Sequence, residues 1–243
     1  MKTNKAHPLS LLKGTIMKSL ITKITIAILI LVLVSAIYLH NKTKSRLVPL
    51  EIKLPKPMFV GTEKPIRVSN LKKFSTEDRP PFLAPAGTTN IALGKPVSSS
   101  DKEPIIGELE MITDGDKEAA DGSYVELGPS LQHITIDLEG MYEIFAVAVW
   151  HYHQQPQVYF DVVVQVADDS DFITNVRTLL NNDTNNSTGL GTGTDMNYIE
   201  THKGELIDAK GAKALYVRLY SNGNNNNDLN HYTEVEVYGK PVE

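Results

Sequence analysis

The sequence predicts an all-β fold: a two-sheet antiparallel sandwich of jelly-roll type, preceded by an apolar helix and a Pro-rich linker. Three observations carry this expectation. Beyond residue 90, apolar residues alternate with polar ones at period two in several short runs. Turn-forming pairs separate those runs: Asp-Gly at 114–115 and 121–122, and Asn-Gly at 222–223. No apolar stripe of helical period extends beyond two turns there.

The chain has 243 residues, 41% of them hydrophobic and 22% charged, which excludes wholesale disorder and collagen-like repeats. It has no cysteine, so disulfides, thiolate metal sites and cysteine nucleophiles are excluded too. The formal charge of −5 divides unevenly. Residues 1–89 hold 15 Lys and Arg against 4 Asp and Glu, a net of +11, whereas residues 90–243 hold 9 against 25, a net of −16. A region at −16 repels phosphates and is unsuited to nucleic acid, but it suits cations. Three segments follow: 1–40, 41–89 and 90–243.

Residues 24–39 (ITIAILILVLVSAIYL) contain no charge and follow Lys13, Lys18 and Lys23. Basic residues stay on the cytoplasmic side, so the remainder is expected outside the cytoplasm. The run is short for a transmembrane helix, which needs about 20 residues. Val34, Ser35 and Ala36 also resemble a signal-peptide cleavage site, so a membrane anchor and a cleaved signal both fit. Met17 is an alternative start. Residues 41–89 hold 7 of the 13 prolines and are basic, which predicts an extended stalk rather than a packed one.

In the acidic segment, residues 133–139 (HITIDLE) set Ile134, Ile136 and Leu138 on one face. Residues 142–150 (YEIFAVAVW) are apolar at nearly every position, so both faces should be covered. Further strands are expected at 159–167, 214–220 and 232–238, with weaker ones at 96–100, 109–113, 123–127 and 176–181. The Asn/Gly-rich stretches 181–194 and 222–230 read as loops.

Five fragments now stand in order: NIALGKPV at 90–97, ITDGD at 112–116, ITIDL at 134–138, LYVRL at 215–219 and TEVEVYG at 233–239. Together they resemble the discoidin, or coagulation-factor type C, domains. These are galactose-binding-like jelly rolls, a class that includes many carbohydrate-binding modules. The resemblance covers residues 90–243. It departs from the family pattern after the Asp-Gly-Asp turn, where a Trp is common and Tyr124 is the nearest aromatic here. Residues 151–157 read as an insertion.

Calcium takes six to eight oxygens, mixing carboxylates with backbone carbonyls. Asp114 and Asp116 flank Gly115 and offer both at short range, although a plain polar turn has the same composition. The family resemblance implies a structural calcium held by this loop and by a Glu on the last strand, a position that Glu234 matches. His151 and His153, two apart on a strand, share one side, with Trp150 and Tyr152 on the other. They fit zinc, sugar hydroxyls beside a stacked ring, or ordinary strand-end packing. Asn224, Asn226 and His231 lie in the 222–232 stretch, where amides suit sugar hydroxyls and also suit tight turns. Arg218 is expected to brace the sheet.

No Gly-x-Ser-x-Gly, His-Glu-x-x-His, phosphate loop or dinucleotide fingerprint is present. The expected function is therefore non-catalytic binding of a cell-surface or wall glycan, with calcium as a structural ion. A protein–protein adhesion module is the alternative, then a small metal-dependent enzyme using His151 and His153.

Overall fold

The computed structural model describes residues 21–36, 46–57 and 66–242. The chain divides into two units, Met1–Val48 and Pro49–Glu243. In the first, residues 21–36 form an exposed helix. The last three residues of the expected 24–39 span lie outside the described ones. Among the described residues no helix is long and apolar enough to cross a membrane, so the expected transmembrane helix is not supported.

Apart from one 3-10 turn, the regular elements of the second unit are antiparallel β-strands. Strand β1 (Leu47–Pro49) straddles the boundary, and β2 is Leu83–Pro85. The remaining strands are β3 (Thr89–Asn90), β4 (Val97–Ser99), β5 (Val125–Leu127), β6 (Leu131–Trp150), β7 (Val163–Ala167), β8 (Arg177–Asn181), β9 (Glu205–Asn222), β10 (Asn230–Tyr232) and β11 (Glu234–Pro241). The main sheet has the order β3-β11-β6-β9-β7-β8, with β4 also on β6, and β10 pairs with β5 separately.

Three expectations change. The two runs 133–139 and 142–150 form one 20-residue strand, β6, whose register slips between Asp137 and Tyr142 against β9. Strand β9 begins nine residues before the expected 214, and its partner register jumps around Lys210 and Gly211, which both take positive φ. Residues 109–113 form a 3-10 turn instead of a strand, with Ile112 inserted into the core.

These bulges let the long strands bend around a single apolar core. Ile134, Ile136, Val147, Val149, Val164, Val217, Leu219, Val235 and Val237 meet there. Alternation then sends Ala146, Ala148 and Trp150 to the other face of β6, beside Tyr238 of β11.

What covers that other face is the Pro-rich segment. Leu50, Ile52 and Phe82 pack on Ala146, Ala148, Trp150 and Tyr238. Residues 69–72 run alongside Asn197, whose side-chain amide donates to the Ser69 carbonyl at 3.0 Å. Lys72 pairs with Glu205 at 3.0 Å, and the Arg79 guanidinium donates to the Lys203 and Gly204 carbonyls. Gly204 has φ +60°, and a Cβ there would come within 2.7 Å of the Trp150 ring. The expected free stalk is therefore corrected. Proline keeps it extended, but it lies docked as a strap because the outer face of β6 is apolar and must leave water.

Without the strap, the face carrying Trp150 is exposed. A fragment of residues 90–243 is expected to melt roughly 5 °C or more below one of residues 46–243, since each apolar strap side chain contributes about 1–2 kcal/mol. Equal melting temperatures in calorimetry would show that the strap adds nothing.

Candidate functional site

The strand ends at 150–153 and 231–234 and the segments 115–124 and 198–204 gather at one end of the sandwich. Glu234 begins β11, paired with Trp150, and its side chain is fully buried. Its Oε2 accepts the Gly115 N–H at 3.0 Å, and its Oε1 has no partner. Burial pushes the Glu234 carboxyl up to about 9, with Glu236 and Asp114 adding to the rise and the Gly115 N–H opposing it.

Asp114 and Asp116 stay exposed, and one oxygen of each accepts a backbone N–H two residues on. The structure thus brings the turn to Glu234 through Gly115. Among the described residues, no three His, Asp or Glu side chains converge as metal ligands. Beside this turn Lys117 is buried, with its ammonium 2.6 Å from Glu236 Oε1 and 5.0 Å from the Trp150 ring centre.

Trp150 is a core residue, which corrects its assignment as a ligand-stacking ring. Its side chain is buried and its indole N–H donates to the His202 carbonyl at 3.0 Å. His151 is also buried. Its Nδ1 lies 2.5 Å from Glu200 Oε1, and its Nε2 has no partner. The ring stacks on Tyr159 at 4.3 Å and tilts onto Tyr232 at 4.9 Å. His153 is buried with Nε2 donating to the Lys117 carbonyl at 2.9 Å. The two imidazoles therefore hold separate partners and form no shared zinc or catalytic pair.

Asn224 is buried and spent inside its own loop. Its amide donates to Asn227 Oδ1 at 2.7 Å and to the Leu229 carbonyl at 2.9 Å, while its Oδ1 accepts two backbone N–H groups. This corrects its expected role as a ligand contact. Asn226 is exposed at the loop tip. His231 is nearly buried and bridges two groups: Tyr159 Oη at 2.8 Å from Nδ1 and Glu126 Oε2 at 2.9 Å from Nε2. A carboxylate only accepts, so Nε2 carries the proton and Tyr159 donates to Nδ1. Burial lowers the affinity of His231 for a second proton, with Glu126 opposing. Arg218 braces the sheet as expected, donating to Thr135 Oγ1 at 2.7 Å and stacking on Phe172.

The accessible part of this cluster is a pair of rings. Tyr124 and Tyr152 are half-buried, with centroids 4.9 Å apart and planes tilted by 58°. His231 stands behind both, at 5.8 Å from Tyr124 and 6.0 Å from Tyr152. Tyr152 Oη donates to Gln154 Oε1 at 2.9 Å. Both phenols are raised above their ordinary range, chiefly by burial, with Asp121 acting on both and Glu126 on Tyr124. Of these residues the sequence singled out Tyr152 and His231 as contacts. Tyr124 entered only as a substitute for a missing Trp, and Glu126, Gln154 and Glu200 carry no sequence signal at all.

No protein-family model and no curated protein matches the chain. Among solved structures, it is similar to a family 89 glycoside hydrolase from Clostridium perfringens, at 20% identity and a TM-score of 0.45, over 63% of this chain and 15% of that one. It is also similar to a fucose-binding module from Streptococcus pneumoniae, at 19% identity and a TM-score of 0.43, over 62% of this chain and 97% of that one. A third is the chitosan-binding module 1 of a chitosanase/glucanase from Paenibacillus sp. IK-5, at 21% identity and a TM-score of 0.44, over 63% and 99%. The chain thus spans about 15% of the length of the first of these structures.

The division between core and surface rings is measurable. Trp150→Ala is expected to cost about 3–5 kcal/mol in denaturant unfolding, and Tyr152→Ala less than about 1.5 kcal/mol. The reverse order would place Trp150 at the surface.

Proposed function

We propose that the β-sandwich is a non-catalytic carbohydrate-binding module acting outside the cytoplasm, with calcium as a structural ion. The observation that carries this is the Tyr124–Tyr152 pair. Two half-exposed rings with Gln154 and carboxylates around them offer what a sugar requires: apolar faces for its C–H surfaces and acceptors for its hydroxyls. The buried carboxylates Glu200 and Glu234 are committed to His151 and to the 115 turn. The discoidin-like motif order and the antiparallel sandwich support the same reading. Export is supported by the basic flank and apolar run before residue 40.

The fit for calcium rests on Glu234. Its buried carboxyl keeps one orphaned oxygen and is held protonated by burial, so a cation there would displace the proton, and Gly115, at φ +92°, sets the turn against it. Glu234 with Asp114 or Asp116, and backbone carbonyls of the turn, would hold the ion. Bound there, calcium would hold Glu234 ionised and tie the turn to the last strand.

Two outcomes test the proposal. An acid whose folded-state pKa is raised stabilises the fold below its unfolded value, and that stability is lost as pH rises. Calcium over chelator should therefore raise the melting temperature more at pH 8 than at pH 5, by roughly 5–10 °C at saturation. Glu234→Gln should abolish this response while melting no lower than wild type in chelator; an identical response in the variant would remove Glu234 from the site.

On a glycan array, the full chain should retain at least one sugar class, and Tyr152→Ala should weaken that binding about tenfold, or roughly 1.4 kcal/mol. Unchanged binding by the variant would place the site elsewhere, and hydrolysis of any retained glycan would refute a non-catalytic role.

A further inference from the structure

Resting on the carbohydrate reading, we infer that the Tyr124–Tyr152 wedge selects glycans bearing free amino groups over N-acetylated and acidic ones. The two ring planes are tilted by 58° with centroids 4.9 Å apart, so the rings do not stack flat. The electron-rich face of each ring attracts a cation. The charged groups around the wedge share one sign. Asp121 is exposed and lies close enough to act on both phenols. Glu126 sits behind Tyr124, hydrogen-bonded to His231.

Among the described residues, the basic groups that contact this cluster do not offset them. The Lys117 ammonium is buried on Glu236, and burial holds His231 against taking a second proton. Farther out, residues 90–243 carry 25 acids against 9 bases, so the long-range field has the same sign. A uronate or sulfated sugar approaching this wedge meets repulsion at both distances. An N-acetylated amino sugar keeps the stacking and loses the charge. An ammonium-bearing sugar gains the ring faces and the carboxylates together.

The test uses the full chain and three oligosaccharides of equal length in calorimetric titration at moderate salt: a β-1,4-linked glucosamine oligomer, its fully N-acetylated counterpart and a uronate oligomer. The amine oligomer should bind at least about tenfold more tightly than the acetylated one, with no detectable uronate binding. Raising the pH to deprotonate the amines should remove the preference and leave the acetylated ligand unaffected. Asp121→Asn should narrow the preference severalfold, and Tyr152→Ala should remove it. That last variant separates a built site from general attraction of a polycation to an acidic protein, which would survive loss of the ring.

Equal or tighter binding of the acetylated or uronate oligomer overturns the inference and leaves the carbohydrate reading standing. Amine binding that persists in Tyr152→Ala overturns it as well. Failure of all three ligands, together with an empty glycan array, withdraws both.

Discussion

The structure depends on burying strand β6 from two sides. Its C-terminal half alternates between two apolar sets: Val147 and Val149 point into the sandwich, and Ala146, Ala148 and Trp150 point away from it. Neither set can face water at low cost. The first is covered by β7, β9 and β11 side chains and the second by the Pro-rich strap. With both faces closed, β6 can stay continuous for 20 residues and deliver its last residues to one end of the sandwich. There the chain leaves the ladder, and His151, Tyr152 and His153 each take a separate partner.

That end is unusually polar for a buried place. His151–Glu200, Lys117–Glu236 and His231–Glu126 are charged or hydrogen-bonded pairs with little or no exposure. Several polar atoms there, among them His151 Nε2, Glu200 Oε2 and Glu234 Oε1, have no partner. Burying such groups costs stability unless something completes them. The strap contributes indirectly, because Arg79 and Lys72 hold the 203–205 stretch that follows Glu200. Strap, buried pairs and surface rings form one connected block, with Tyr159 linking His151 to His231 and His231 standing behind Tyr124 and Tyr152.

Much of the fold was legible, because strands alternate apolar and polar residues at period two. Residues 134–138 and 232–238 show this, although in the second run the polar Glu234 and Glu236 are buried as well. Legibility failed where a bulge interrupts the period. Lys210 and Gly211 break the pattern inside β9, so only its second half stood out, and Gly140 divides β6 into two apparent strands. The run 109–113 was expected as a weak strand, but it closes into a 3-10 turn that buries Ile112 and Thr113. The strap was missed for a different reason: prolines report an extended backbone but not what that backbone lies on. Trp150 and Asn224 look like ligand contacts by residue type, and burial excludes them. Tyr124 and Gln154 matter only through tertiary placement, which no local spacing encodes.

The central claim is that the accessible rings beside the buried polar block grip a glycan while the long Asn loop is scaffolding. Amide hydrogen exchange of the full chain, with and without a bound oligosaccharide, tests it most directly. Protection on binding is expected in 121–126 and 151–155, with little change in 222–229. Protection confined to the Asn-rich loop, or spread over the strap and absent from the tyrosines, would contradict the account.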